Sequence, residues 1–133
     1  MYDRTKPSQT ASALGVLIVD DDEILREMLV EVLRIEGIQK CISADTLGSV
    51  QEQQKEALAC GLAILDINLG PGEPTGIEVH NWLRSQGFRG QIIFLTGHAA
   101  DDPRVLDASR IKSTTLLQKP ISIETLAHYL RAA

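Results

Sequence analysis

The stretch VLIVDDDEIL, Val16 to Leu25, sets four aliphatic residues directly against four consecutive acids. A continuous apolar run of this length, without polar alternation, is the pattern of a parallel strand covered on both faces. Acids crowded at its end repel one another unless water, a cation or a basic side chain compensates them, so they form either an exposed turn or a site. The residues that follow change period. Ile24, Leu25, Met28, Leu29, Val32 and Leu33 recur at helical spacing on one face, with Arg26, Glu27, Glu31 and Arg34 on the other, and Gly37 supplies a stop.

The same strand-then-helix unit repeats along the chain. Further apolar runs are KCISA (Lys40 to Ala44), LAIL (Leu62 to Leu65), IIFL (Ile92 to Leu95) and TTLLQ (Thr114 to Gln118). Helical stretches are expected over Thr46 to Ala59, Gly76 to Ser85, Pro103 to Ser109 and Ile123 to Arg131. Five such units imply an α/β protein whose parallel sheet has helices on both faces, because right-handed crossovers join successive parallel strands. A polar tail of residues 1–14 is expected to be flexible, with one domain over 15–133.

Composition narrows the function. With 133 residues, 44% hydrophobic and 23% charged, the chain has the balance of a single globular domain. Its net charge of −5 gives no basic stripe for nucleic acid, so direct binding there is not expected. The N-terminal segment lacks the apolar core of a secretory signal, and no apolar stretch is long enough to span a membrane, so the expected location is the cytoplasm. Cys41 and Cys60 have no metal-ligand spacing and read as reduced thiols in or near the core.

In folds of this kind, ligands bind at the carboxyl ends of the strands where strand order reverses. The first strand ends in Asp20 and Asp21, the third in Asp66, the fourth in Thr96, and the fifth in Lys119 and Pro120. If the first and third strands are neighbours, three carboxylates converge with a hydroxyl on one side and an ammonium on the other. Each group has a role in phosphoryl transfer. Clustered carboxylates suit Mg2+, an aspartate can serve as nucleophile, and a hydroxyl and a lysine can bind phosphoryl oxygens. Taken singly, each residue is also an ordinary turn or cap; the joint occurrence at four strand ends is what favours a site.

With these motifs in place, VLIVDDDE, ILDINL, IIFLTG and LLQKP in order, the sequence resembles the receiver domain of two-component response regulators, from Val16 to Arg131. The resemblance implies a flavodoxin-like (CheY-like) doubly wound five-stranded parallel sheet, order 2-1-3-4-5, with five helices. It implies Asp66 as phosphoacceptor, Asp21 as direct metal ligand, Asp20 as its partner acting through water, and the Asn68 carbonyl as a further Mg2+ ligand. Thr96 resembles the switch hydroxyl, Lys119 the lysine that pairs with the phosphoryl group, and Pro120 a proline after a cis peptide bond. Asp22 falls outside the site and begins the following helix, which it caps or solvates. The implied partners are a sensor histidine kinase or phosphotransfer protein and an output protein that reads the surface of the fourth helix, fifth strand and fifth helix. Dimerisation is left open, as is whether the receiver stands alone or belongs to a larger regulator or hybrid kinase.

Two departures stand out. The segment NLGPGEPTG, Asn68 to Gly76, lacks the family's common Met-Pro pair and runs about two residues longer. Leu116 occupies the position where an aromatic residue often swings inward. His98 reads as a loop residue near the rim, His80 and His128 as helix residues without a catalytic role, and Trp82 as helix packing. The competing reading is a haloacid-dehalogenase-type phosphatase with Asp20 as nucleophile, suggested by the Asp20-x-Asp22 spacing. It expects an acidic pair after the lysine, and beyond Lys119 only Glu124 is acidic.

Overall fold

The computed structural model describes residues 14–97 and 102–132. Most of the expected flexible tail and His98 lie outside them. Five strands, β1 (Gly15–Val19), β2 (Lys40–Ala44), β3 (Leu62–Asp66), β4 (Gln91–Thr96) and β5 (Thr114–Gln118), form one sheet in the order β2-β1-β3-β4-β5. Every pairing is parallel. The central strands β1 and β3 are buried throughout, which is why their sequences are unbroken apolar runs, whereas the edge strands β2 and β5 are partly exposed.

Alternate strand residues enter two separate cores. Leu17, Val19, Leu65 and Phe94 point to one face, where they meet Val79 and Leu83 of α4 (Gly76–Ser85) and Ala108 of α5 (Pro103–Ser109). Val16, Ile18, Ile64 and Leu95 point to the other, against Leu29 and Leu33 of α1 (Glu23–Ile35) and Leu126 and Leu130 of α6 (Ile123–Ala132). Cys60 is buried and Cys41 is half-buried, and both are free thiols. Burial raises both above the ordinary thiol range, Cys60 to about 11, which keeps them protonated and unreactive.

One of the five expected helices is two, giving six among the described residues. Residues 46–59 divide into α2 (Leu47–Glu52) and α3 (Gln54–Leu58). Gln53 leaves the helical region at φ −111° and ψ 30°, while its side-chain amide donates to the Ser43 carbonyl at 3.1 Å. That bond ties the break to the end of edge strand β2. The apolar face of α1 also differs from the expected one: Ile24 and Met28 face solvent.

Asp22 is the N-cap of α1, as its position implied, accepting from the backbone N–H of Ile24 at 3.0 Å and of Leu25 at 3.2 Å. Asp22→Ala is expected to lower stability by about 1 kcal/mol, measured by urea unfolding, because it leaves those donors to water.

Candidate functional site

The parallel register brings the strand ends to one rim. Asp66 pairs with Leu95, and Thr96, one residue further along β4, pairs with Gln118, so Lys119 emerges beside them. The backbone continues the ladder there: Lys119 N–H donates to the Thr96 carbonyl at 2.8 Å. On the other side, Val19 pairs with Leu65, which sets Asp20 and Asp21 alongside Asp66. The Lys119–Pro120 peptide bond is cis.

Asp20, Asp66 and Thr96 are buried, and Asp21 is exposed. The Lys119 ammonium donates to Asp66 Oδ2 at 3.1 Å and lies 2.9 Å from Asp20 Oδ2. The second contact is ionic rather than a well-aligned hydrogen bond, so Asp20 Oδ2, in a residue 1% exposed, is a buried oxygen with unused acceptor capacity. Asp20 Oδ1 accepts from Asp22 N–H at 2.9 Å, and Asp66 Oδ1 from Asn68 N–H at 3.3 Å. Carboxylate oxygens of Asp20, Asp21 and Asp66 lie within 4.8 Å of one another.

Two of the three carboxylates, those of Asp20 and Asp66, meet the Lys119 ammonium, and Asp21 stands beside them, so negative charge is in excess. Burial, followed by repulsion from Asp20, raises the Asp66 carboxyl from its ordinary 3.8 to about 6, with Lys119 and the Asn68 N–H acting in the opposite direction. For Lys119, burial opposes the charge, but contact with Asp20 and the charges of Asp66 and Asp20 outweigh it and raise its pKa. A raised carboxyl binds its proton more tightly folded than unfolded, so stability is lost as pH rises from about 4 through about 6. Asp66→Asn is therefore expected to stabilise the metal-free protein at pH 7.5 by about 1–2 kcal/mol. The difference from wild type should shrink toward pH 4, as read from denaturant midpoints across that range; a difference constant with pH would contradict it.

The donor set fits a hard divalent cation. Its three carboxylates are close but not hydrogen-bonded to one another, one buried oxygen has unused acceptor capacity, and the net charge calls for compensation. Asn68 follows at the start of the loop, its own Oδ1 accepting from Gly70 N–H at 3.1 Å. Gly70 takes φ +108°, and a Cβ there would stand 3.7 Å from Asp21 Oδ2, so the loop bends against the acidic cluster at a position that favours glycine. The Gly76 N–H then donates to the Ile67 carbonyl at 2.8 Å, and Thr75 and Glu78 form a reciprocal capping box at the start of α4.

Sequence reasoning missed Arg26. It was placed on the solvent face of α1, yet its guanidinium donates to the Asp20 carbonyl and ties α1 to the end of β1. Its position one turn into α1, after the acids, was the available signal. His80 is buried, 2.9 Å from Asn81 Oδ1 and in ring contact with Phe94. Leu116 is half-buried against the core, and Trp82 likewise packs there.

The sequence matches the response regulator receiver domain family over residues 16–131, and the chain belongs to that family. It is 32% identical over 119 residues to the response regulator protein TodT of Pseudomonas putida, an alignment covering 89% of this chain and 50% of TodT. It is 26% identical over 121 residues to the transcriptional regulatory protein FixJ of Azorhizobium caulinodans, covering 91% of this chain and 55% of FixJ. The chain thus spans about half the length of these curated relatives. Among solved structures, the receiver domain of Erythrobacter litoralis PhyR superimposes with a TM-score of 0.74 at 27% identity, covering 90% of this chain and 88% of that one. Vibrio cholerae chemotaxis protein CheY4 gives a TM-score of 0.74 at 25% identity, covering 90% and 97%.

Proposed function

We propose that this receiver domain accepts a phosphoryl group on Asp66 from a phosphohistidine of a sensor histidine kinase or phosphotransfer protein. The observation that carries the reading is the position of Asp66, buried at the end of β3 between the acids that end β1 and the ammonium of Lys119. An Asp66 carboxylate oxygen would attack phosphorus as the phosphorus–nitrogen bond breaks and its electron pair leaves with the imidazole. Lys119 would offer its ammonium, and Thr96 its hydroxyl, to the phosphoryl oxygens. Asp20, Asp21, Asp66 and the Asn68 carbonyl would hold Mg2+, which supplies positive charge for the phosphoryl oxygens. On this reading the domain acts chemically only on itself, as a signalling module rather than an enzyme with turnover.

Drawing Thr96 and Lys119 toward a new dianion would shift the surface of α5, β5 and α6, which an output protein reads. Because Leu116 stands where an aromatic side chain would rotate, the shift would pass through Thr96 and the start of α5. In a longer regulator, any effect on DNA would come from a segment other than this acidic domain. The phosphatase alternative is disfavoured because Asp20 is buried against Lys119 and Asp22 is occupied as a helix cap.

Beryllium fluoride and Mg2+ test the reading by fluorine NMR. A bound beryllofluoride signal that needs Mg2+ and disappears in Asp66→Asn is expected. Persistence of that signal in Asp66→Asn with loss in Asp20→Asn would overturn it.

A further inference from the structure

The chain passes from β1 into α1 through Asp20, Asp21 and Asp22, and three bonds hold the main chain there. Asp20 N–H makes the last ladder bond to β2, donating to the Ala44 carbonyl at 3.1 Å. Asp22 N–H donates to Asp20 Oδ1 at 2.9 Å. The Asp20 carbonyl lies past the end of β2 at Ala44, and its donor is the Arg26 guanidinium. Arg26 has anions at hand, since Glu23, Glu27 and Glu31 line the same open cleft between α1 and β2. Among the described residues it forms an ion pair with none of them, and its half-buried side chain reaches back to the main chain instead.

We propose that Arg26 is a positioning residue for Mg2+ that acts by setting Asp21 relative to Asp20; this rests on the reading that these acids hold the ion with Asp66. The bond from Arg26 to the Asp20 carbonyl closes a ring of main chain running from Asp20 to Arg26. Residues from Glu23 onward are helical, and Asp22 is tied both by its N–H to Asp20 and by its side chain to the first turn of α1. The freedom left in the ring is therefore that of Asp21, whose two soft dihedrals decide where its side chain leaves the chain. The Asp20 carboxylate has its own anchors, the Asp22 N–H and the Lys119 ammonium. The exposed Asp21 carboxylate has none among the described residues, so its place beside Asp20 and Asp66 depends on the main chain that carries it. A guanidinium charge acting alone would repel a cation, so a role of charge and a role of position predict opposite effects on Mg2+.

Titration of the metal-free full chain with Mg2+, followed by backbone amide NMR shifts, tests the proposal. Arg26→Met should raise the Mg2+ dissociation constant about ten-fold, the usual cost of losing a group that orients a metal ligand, although it removes a positive charge. In an Asp21→Ala background the same substitution should cost little, because the side chain it positions is already gone. Thermal midpoints of the metal-free variants will show that they fold. Arg26→Gln, whose amide is too short to reach the carbonyl, takes the place of Arg26→Met if that variant does not fold. Unchanged or tighter Mg2+ binding in the Arg26 variant overturns the positioning role, as does an equal loss in the Asp21→Ala background; both leave the phosphoacceptor reading of Asp66 standing. A wild-type chain that binds no Mg2+ overturns both.

Discussion

Gly76→Ala is expected to cost about 3 kcal/mol or more in folding stability, the upper end of the range for overpacking. A Cβ at this position would overlap the carbonyl oxygen of Asp66 and lie 2.9 Å from its carbonyl carbon and 3.0 Å from Ile67 Cα. All three obstacles are backbone, so no rotamer change relieves the clash; either α4 or the end of β3 must move. The Gly76 N–H also donates to the Ile67 carbonyl, so the displacement breaks a bond at the base of the loop. Phosphoacceptance should fall with stability, because the crowded carbonyl belongs to Asp66 itself. Urea unfolding checks the first effect, and a loss below about 1 kcal/mol, within the range of ordinary substitutions, would show that the packing is softer than described.

The second large effect is expected for Lys119→Met. Lys119 is the ammonium that meets buried Asp20 and Asp66 at once, and removing it leaves their repulsion uncompensated. Loss of one partner from a buried ion pair costs about 3 kcal/mol, and that loss should appear at neutral pH in metal-free protein. Because the carboxylates raise the Lys119 pKa, its contribution is complete below the ordinary lysine value of 10.5 and is lost only as pH rises through the higher folded value. The variant should also take up phosphate from a small acyl phosphate about 10²-fold more slowly, the usual cost of removing one preorganised donor to a developing charge. Wild-type stability together with a wild-type labelling rate would contradict the bridging role.

Strand and helix placement was legible because the core imposes it. Val16–Val19, Leu62–Leu65 and Ile92–Leu95 are buried on both faces, so their sequences could not alternate, and the register then sent Asp20, Asp66, Thr96 and Lys119 to one rim. Asp22 was legible as a cap because capping is local. What escaped depends on contacts distant in sequence. The break at Gln53 is tied to the Ser43 carbonyl ten residues away, and the need for glycine at 76 comes from the backbone of Asp66 and Ile67. Ile24 and Met28 fit a helical period on the sequence, yet the sheet covers only the side of α1 that carries Leu29 and Leu33. Periodicity identifies a helix; how much of its apolar arc is covered depends on the neighbouring elements.

The central claim is that Asp66 is the residue that becomes phosphorylated. Its most direct test is to incubate the protein with acetyl phosphate and Mg2+, trap the acyl phosphate by borohydride reduction, and locate the modified aspartate by peptide mass spectrometry. Reduction at Asp66, absent in Asp66→Asn, is the predicted result. Modification at Asp20, or turnover of a phosphate ester without a trapped adduct at Asp66, would contradict it.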